Sequence, residues 1–240
     1  NIERSTAYEN AEVLDNYPLR APFSYALIIR ESDTGELSYI IDEIPLNALE
    51  KEAYMKIKDI LEANLEAPLE GETPLESFRR QFPKLIGKHK KILKGLSSIG
   101  VKKIEYYLER NIAGYGEIDP LMADPNIEDI SCNGVGRPVY LWHRKYENIK
   151  TNIFFKDKEE LDNFVMKLVH RAGKHVSIAY PTVDATLPGK HRLAVYYKNE
   201  VTPLGTSFTI RKFREDPLTI IDLINNETIN LDVEAYLWLL

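Results

Sequence analysis

Cysteine is almost missing: Cys132 is the sole one in 240 residues. No disulfide can form within the chain, and a single thiol cannot build a cysteine-based zinc site. A reducing compartment suits such a sequence. Long apolar runs are missing too. Nothing approaches the roughly 18 residues of a membrane-spanning helix, and the opening Asn1-Ile2-Glu3-Arg4-Ser5 has no apolar signal core. There is no basic excess either. The 31 Lys and Arg stand against 37 Asp and Glu, a net charge of −6, which argues against nucleic acid as a partner. Familiar catalytic signatures are also absent. Gly87-Lys88, Gly173-Lys174 and Gly189-Lys190 are each followed by histidine, so the chain has no Gly-x-x-x-x-Gly-Lys-Ser/Thr phosphate loop. It has no Gly-x-Ser-x-Gly elbow, and its five histidines form no His-x-x-x-His pair with a glutamate.

What remains is a soluble-type composition, 44% hydrophobic and 28% charged, long enough for one large or two ordinary domains. Tyr25 to Arg30 and Glu36 to Glu43 are β-rich, and Ser32-Asp33-Thr34-Gly35 between them has turn chemistry, so a hairpin is predicted. Asn47 with Glu50 forms a capping-box pattern. The helix it opens places Tyr54, Ile57, Leu61 and Leu65 on one face. Pro68, Gly71 and Pro74 break the chain, and residues 75–113 are predicted mostly helical, with Val101, Ile104, Leu108 and Ile112 at helical spacing. From Lys84 to Lys103 the sequence holds seven lysines and no acidic residue. That run reads as a solvated helix face, or as a contact for anionic lipid or an acidic protein.

Gly114-Tyr115-Gly116 and Asp119-Pro120 mark a boundary. Beyond it strands are predicted at Ile127 to Cys132, Pro138 to Trp142 and Ile149 to Phe155. A helix capped by Asp157 and Glu160 follows, then strands at Val183 to Ala185, Arg192 to Tyr197 and Ser207 to Phe213. The expected fold class is α+β: an N-terminal hairpin plus helical subdomain over 1–113, then a small α+β domain with a mainly antiparallel sheet over 114–214. Residues 215–240 are expected to be a linker and helix, opening at Asp216-Pro217. The ending Trp238-Leu239-Leu240 has no stop signal and reads as a helix still in progress.

Two arginines carry the chemical interest. Period-2 alternation puts Leu193 and Val195 on one face of their strand and Arg192 on the other. Phe208 and Ile210 likewise face away from Arg211. If the two strands are neighbours, both guanidinium groups project from one face. A pair of rigid, permanently charged forks suits phosphate oxygens. An ordinary exposed, ion-paired arginine fits the same pattern. Asp184 and His191 offer a hydrolytic pair only without any recognisable nucleophile.

Four stretches occur together in order: Asp124-Pro125-Asn126-Ile127-Glu128-Asp129-Ile130-Ser131, Glu159-Glu160-Leu161-Asp162-Asn163, Pro181-Thr182-Val183-Asp184-Ala185-Thr186-Leu187-Pro188, and Phe208-Thr209-Ile210-Arg211-Lys212-Phe213. In these, residues 105–240 resemble the type II/type IV secretion ATPases, in particular the archaeal GspE and FlaI-like branch. That resemblance implies an amino-terminal region placed over a RecA-like motor domain, whose start is residues 215–240 and whose phosphate loop follows. It implies ATP and Mg²⁺ held between the two parts, a homo-hexamer, and a cytoplasmic location at the inner face of the cell membrane. The partners would be the chain's own motor domain and a membrane platform protein, in a secretion system, a pilus or an archaellum. Arg192 and Arg211 match family positions that reach the nucleotide phosphates, and Arg214 is a third candidate. In this family the hairpin usually reads Leu-Pro-Asp-Gly-Ser-Arg, where this chain has Leu187-Pro188-Gly189-Lys190-His191-Arg192. Without the phosphate loop the chain alone is expected not to hydrolyse ATP or to hold it tightly. The alternative is a non-catalytic module docking the platform protein or anionic lipid.

Overall fold

A computed structural model of the chain describes residues 11–200, 202–214 and 219–239. The sequence features at Asn1–Ser5, Asp216–Pro217 and Leu240 lie outside them. Among the described residues, nine strands form one sheet: β1 (Glu12–Arg20), β2 (Ser24–Arg30), β3 (Leu37–Glu43), β4 (Ile127–Cys132), β5 (Pro138–His143), β6 (Glu147–Phe154), β7 (Thr182–Thr186), β8 (Arg192–Tyr196) and β9 (Ser207–Arg211). Their spatial order is β1-β2-β3-β6-β5-β4-β9-β8-β7. Every pairing is antiparallel except β3 with β6. The chain is α+β, as its sequence implies.

The predicted hairpin is β2–β3. Gly35 closes its turn at φ +69°, a left-handed conformation that costs glycine little, and its N–H bonds Glu31 O at 2.9 Å. Strand β1 was not apparent in the sequence. It lies at the sheet edge against β2, with a mixed burial pattern that blurs any alternation.

The sheet passes through the boundary expected at residue 113. Ser38 and Tyr39 of β3 pair with Lys150 and Thr151 of β6. Asn152 then prolongs this short parallel seam with its side chain. Its Oδ1 accepts the Ile41 N–H at 2.9 Å, and its Nδ2 donates to Ile41 O at 3.1 Å. A core of Ala26, Ile28, Tyr39 and Ile41 is thereby continuous with Leu121, Ile130, Leu141 and Phe208.

Helix α1 (Ala48–Asn64) opens with the predicted capping box, Asn47 Oδ1 accepting from Glu50 N at 2.9 Å. With α2 (Pro74–Lys88) and α3 (Ser98–Leu108) it encloses a second core of Ile57, Leu61, Phe78, Phe82, Ile104 and Leu108. Lys103, counted in the lysine run, is not on a solvated face. It is buried on α3 and bonds Glu50 of α1 at 2.7 Å.

Short helix α4 (Asp119–Ala123) leads into β4. Helix α5 (Lys158–Arg171) is capped by Asp157 and buries Leu161, Val165, Leu168 and Val169 in the core that takes the inward residues of β4, β8 and β9. Helices α6 (Ile220–Asn225) and α7 (Leu231–Leu237) contain no buried residue. No helix among the described residues is long and apolar enough to cross a membrane.

Candidate phosphate site

Alternation along β8 and β9 sends Leu193, Val195, Phe208 and Ile210 inward and leaves Arg192 and Arg211 on the opposite, exposed face. The register sets Arg192 directly opposite Arg211. Two like charges directly opposed are unfavourable, and a carboxylate on each outer neighbour offsets them. From β4, Asp129 stands opposite Arg211. It accepts Nε at 2.9 Å and Nη2 at 3.3 Å. From β7, Asp184 accepts Arg192 Nη2 at 2.9 and 3.2 Å. Across four strands, two facing guanidinium groups are thus flanked by a carboxylate on either side. The Asp129 hydrogen bond pushes the Arg211 pKa further up from its already high range.

Guanidinium carries five N–H donors. Asp129 engages Arg211 through Nε and Nη2, and Asp184 engages Arg192 through Nη2 alone. Among the described residues no acceptor engages Nη1 of either arginine. Both side chains are largely solvent-accessible, 69% for Arg192 and 74% for Arg211, so an anion can reach them.

Where β9 ends, a cleft of about 710 Å³ opens. Its basic lining is Arg144, His191, Arg211, Lys212 and Arg214, its acidic lining Glu128 and Asp129, and Met122, Pro125, Trp142 and Phe213 add apolar surface. Two of the three sequence-predicted arginines, Arg211 and Arg214, therefore share the cleft. Arg192 stands beside it, opposite Arg211. Arg144, Lys212 and Trp142 were missed as site residues. Trp142 was legible as an outward position of its strand, whereas Arg144 enters the cleft through tertiary structure alone.

The cleft wall is tied to the fold by a buried network. The Lys212 ammonium donates to Leu121 O at 3.1 Å and to Asp124 O. The fully buried Asp124 carboxylate accepts Tyr17 Oη at 2.6 Å and Tyr39 Oη at 2.7 Å on Oδ2, and the Asn126 N–H at 2.8 Å on Oδ1. Because His143 Nδ1 accepts the Lys145 N–H at 3.1 Å, its proton sits on Nε2, which donates to Tyr17 Oη at 3.2 Å. Burial pushes the His143 pKa down, which favours the neutral ring. Asp184 and His191, weighed as a hydrolytic pair, have other engagements. Asp184 holds Arg192, and His191 Nδ1 accepts the Phe213 N–H at 2.9 Å. Among the described residues no group of three His, Cys, Asp or Glu side chains is placed to hold a metal ion. Arg192, Arg211 and Arg214 are planar, permanently charged donors of the kind that suits anionic oxygens.

No protein-family model matches the chain. It is 38% identical over 201 residues to the uncharacterized protein MJ1288 of Methanocaldococcus jannaschii, across 82% of this chain and 79% of that protein. Two further uncharacterized proteins of the same organism are longer. MJ0900 is 34% identical over 223 residues, with 84% of this chain matched to 40% of its length. MJ0781 is 26% identical over 241 residues, with 98% of this chain matched to 32% of its length. Among solved structures, the VirB11 ATPase of the Brucella suis type IV secretion system, in complex with sulphate, aligns at a TM-score of 0.38 and 20% identity. The alignment covers 53% of this chain and 35% of that one.

Proposed function

Given that the chain belongs to the same family as the uncharacterized protein MJ1288 of Methanocaldococcus jannaschii, we propose that it is the phosphate-sensing, amino-terminal part of a secretion-type ATPase. The observation that supports this reading is the facing pair Arg192–Arg211, each arginine oriented by its own carboxylate at the mouth of a basic cleft. In this reading the phosphate loop and Mg²⁺ ligands belong to a motor domain outside this sequence. The nucleotide lies between the two parts of one subunit in a hexameric ring. Arg192 and Arg211 supply fixed cations that stabilise terminal-phosphate charge and make closure of the amino-terminal part depend on its presence. Arg214 adds charge where the chain leaves the sheet. Asp129 and Asp184 hold the forks in place, so little side-chain freedom is lost when phosphate arrives.

This chain lacks the loop amides that bind phosphate most strongly, so its own affinity for nucleotide is expected to be weak. The test is a titration of the chain with AMP, ADP and ATP, followed through the arginine Nε–H NMR signals. The response of Arg192 and Arg211 should grow with the number of phosphates, and a calorimetric titration with ATP should lose its heat of binding in Arg192→Ala/Arg211→Ala. Equal responses to AMP and ATP, or an unchanged titration in the double variant, would refute the reading.

A second reading is favoured by one observation. A groove of about 640 Å³ on the helical part is lined by Pro83, Ile86, Gly87, Leu93 and three lysines, Lys90, Lys91 and Lys94. An apolar floor rimmed by ammonium groups suits an anionic membrane surface, with about 1 kcal/mol per lysine near the headgroups. It is compatible with the first reading, since a motor must be attached to what it drives. Co-sedimentation with phosphatidylglycerol vesicles should be salt-sensitive and lost in Lys90→Glu/Lys91→Glu/Lys94→Glu. Equal binding to neutral vesicles would remove it, and binding to an acidic platform segment but not to vesicles would reassign the groove to protein.

A further inference from the structure

We infer that Trp142 is the stacking shelf for the base of the bound nucleotide, which makes the ligand a nucleoside polyphosphate rather than a free polyphosphate. The inference rests on the phosphate reading above and extends it from the phosphates to the base.

Strand β5 explains why the indole stands out. Val139, Leu141 and His143 alternate inward, at 0%, 1% and 3% exposure. Trp142 falls on the other face and is 47% exposed. The core does not need it there, and an outward strand position ordinarily takes a polar residue. An indole with half its surface in water has apolar area still to cover.

Its position matches that use. Arg192 lies opposite Arg211, Arg211 opposite Asp129, and Asp129 opposite Trp142. The four residues form one row on the exposed face. Two strand spacings of about 4.8 Å put the Trp142 backbone roughly 10 Å from that of Arg211 along the row. Both side chains line the same cleft. An extended nucleotide covers this kind of span between its terminal phosphate and its base. Met122 and Pro125 line the cleft as well, so apolar surface is available around a base on Trp142. Arg144 also lines it and bonds Glu128 at 3.3 Å, polar groups suited to a ribose. Stacking on an aromatic ring tolerates any base.

Trp238 is the only other tryptophan in the sequence, so Trp238→Phe leaves Trp142 as the sole indole reporter. That variant is titrated with ATP and with inorganic tripolyphosphate while indole fluorescence is followed. ATP should quench saturably. Tripolyphosphate should leave the emission unchanged yet compete with ATP. In a calorimetric or NMR titration, Trp142→Ala should weaken ATP roughly tenfold, leave tripolyphosphate affinity as it was, and be partly rescued by Trp142→Phe. Competition without quenching by ATP, or equal ATP and tripolyphosphate affinities in the unmodified chain, would overturn the base shelf and leave the phosphate reading standing. Failure of both ligands to bind would overturn the phosphate reading, and this inference with it.

Discussion

Replacing Lys103 by methionine removes one ammonium group and keeps most of the apolar stem. Glu50 and Lys103 are only 4% and 8% exposed. Lys103 Nζ donates to Glu50 Oε2 at 2.7 Å and to Pro45 O at 3.1 Å. Among the described residues no other cation pairs with that carboxylate, although the Asn47 N–H also donates to Oε2 at 2.8 Å. Breaking a buried pair from one side costs about 3–5 kcal/mol, because the surviving charge stays desolvated. The retained amide bond places the expected loss near the lower end, about 3 kcal/mol, a large part of a typical domain's 5–15 kcal/mol.

The pH dependence has a definite sign. In the native chain burial pushes the Glu50 carboxyl up, but the Lys103 hydrogen bond, the Asn47 amide and the Lys103 charge together hold it below its ordinary value. A depressed folded pKa means that the pair's contribution is complete above the ordinary glutamate range and is lost as pH falls through the folded pKa. In Lys103→Met the burial remains and its main opponent is gone, so the carboxyl moves up. The variant's penalty should then be largest near neutral pH and shrink as acid protonates Glu50. Urea unfolding followed by circular dichroism, at neutral pH and again near the ordinary carboxylate range, measures both quantities. A difference below about 1 kcal/mol, the size of a surface pair, or one that does not change with pH, would refute the reasoning. Glu50→Gln/Lys103→Met should recover part of the loss.

Three other outcomes are expected. Asn152→Ala removes two hydrogen bonds at the β3–β6 seam and should cost about 1–2 kcal/mol, with faster hydrogen exchange at the Ile41 amide; unchanged exchange there would mean that the seam does not depend on this side chain. Gly114→Ala places a methyl 2.3 Å from Asp119 Oδ1 and 2.8 Å from Arg110 O, so the backbone must shift and chemical denaturation should show about 1–3 kcal/mol of loss; a neutral result would contradict that close approach. Burial pushes the Cys132 thiol pKa up, so a thiol reagent should label it only on unfolding, and rapid labelling of the native chain would show that the core around it opens.

Features governed by neighbours in the chain were legible from sequence. Asn47 with Glu50 and Asp157 with Glu160 are caps because a side-chain oxygen three residues away can satisfy an amide at a helix start. Gly35 marks a turn because of its φ. Alternation alone put Arg192 and Arg211 on the face opposite Leu193 and Ile210, since successive strand side chains point to opposite sides. Pairing is different, because it joins positions that sequence separation keeps apart. Only the sheet register brought Arg192 opposite Arg211, Asp129 to Arg211 from 82 residues away, and Trp142 into their row. Only tertiary packing withdrew Lys103 from a run that looks solvated and set it on Glu50. Likewise, β1 became a strand through its partner β2, and the hairpin joined the main sheet through two backbone pairs and one asparagine. The sequence by itself determined most of the elements, their caps and the faces they present. The tertiary structure decided which faces meet, because side-chain direction is a local property of the backbone whereas strand order and ion-pair partners are set by which surfaces bury each other.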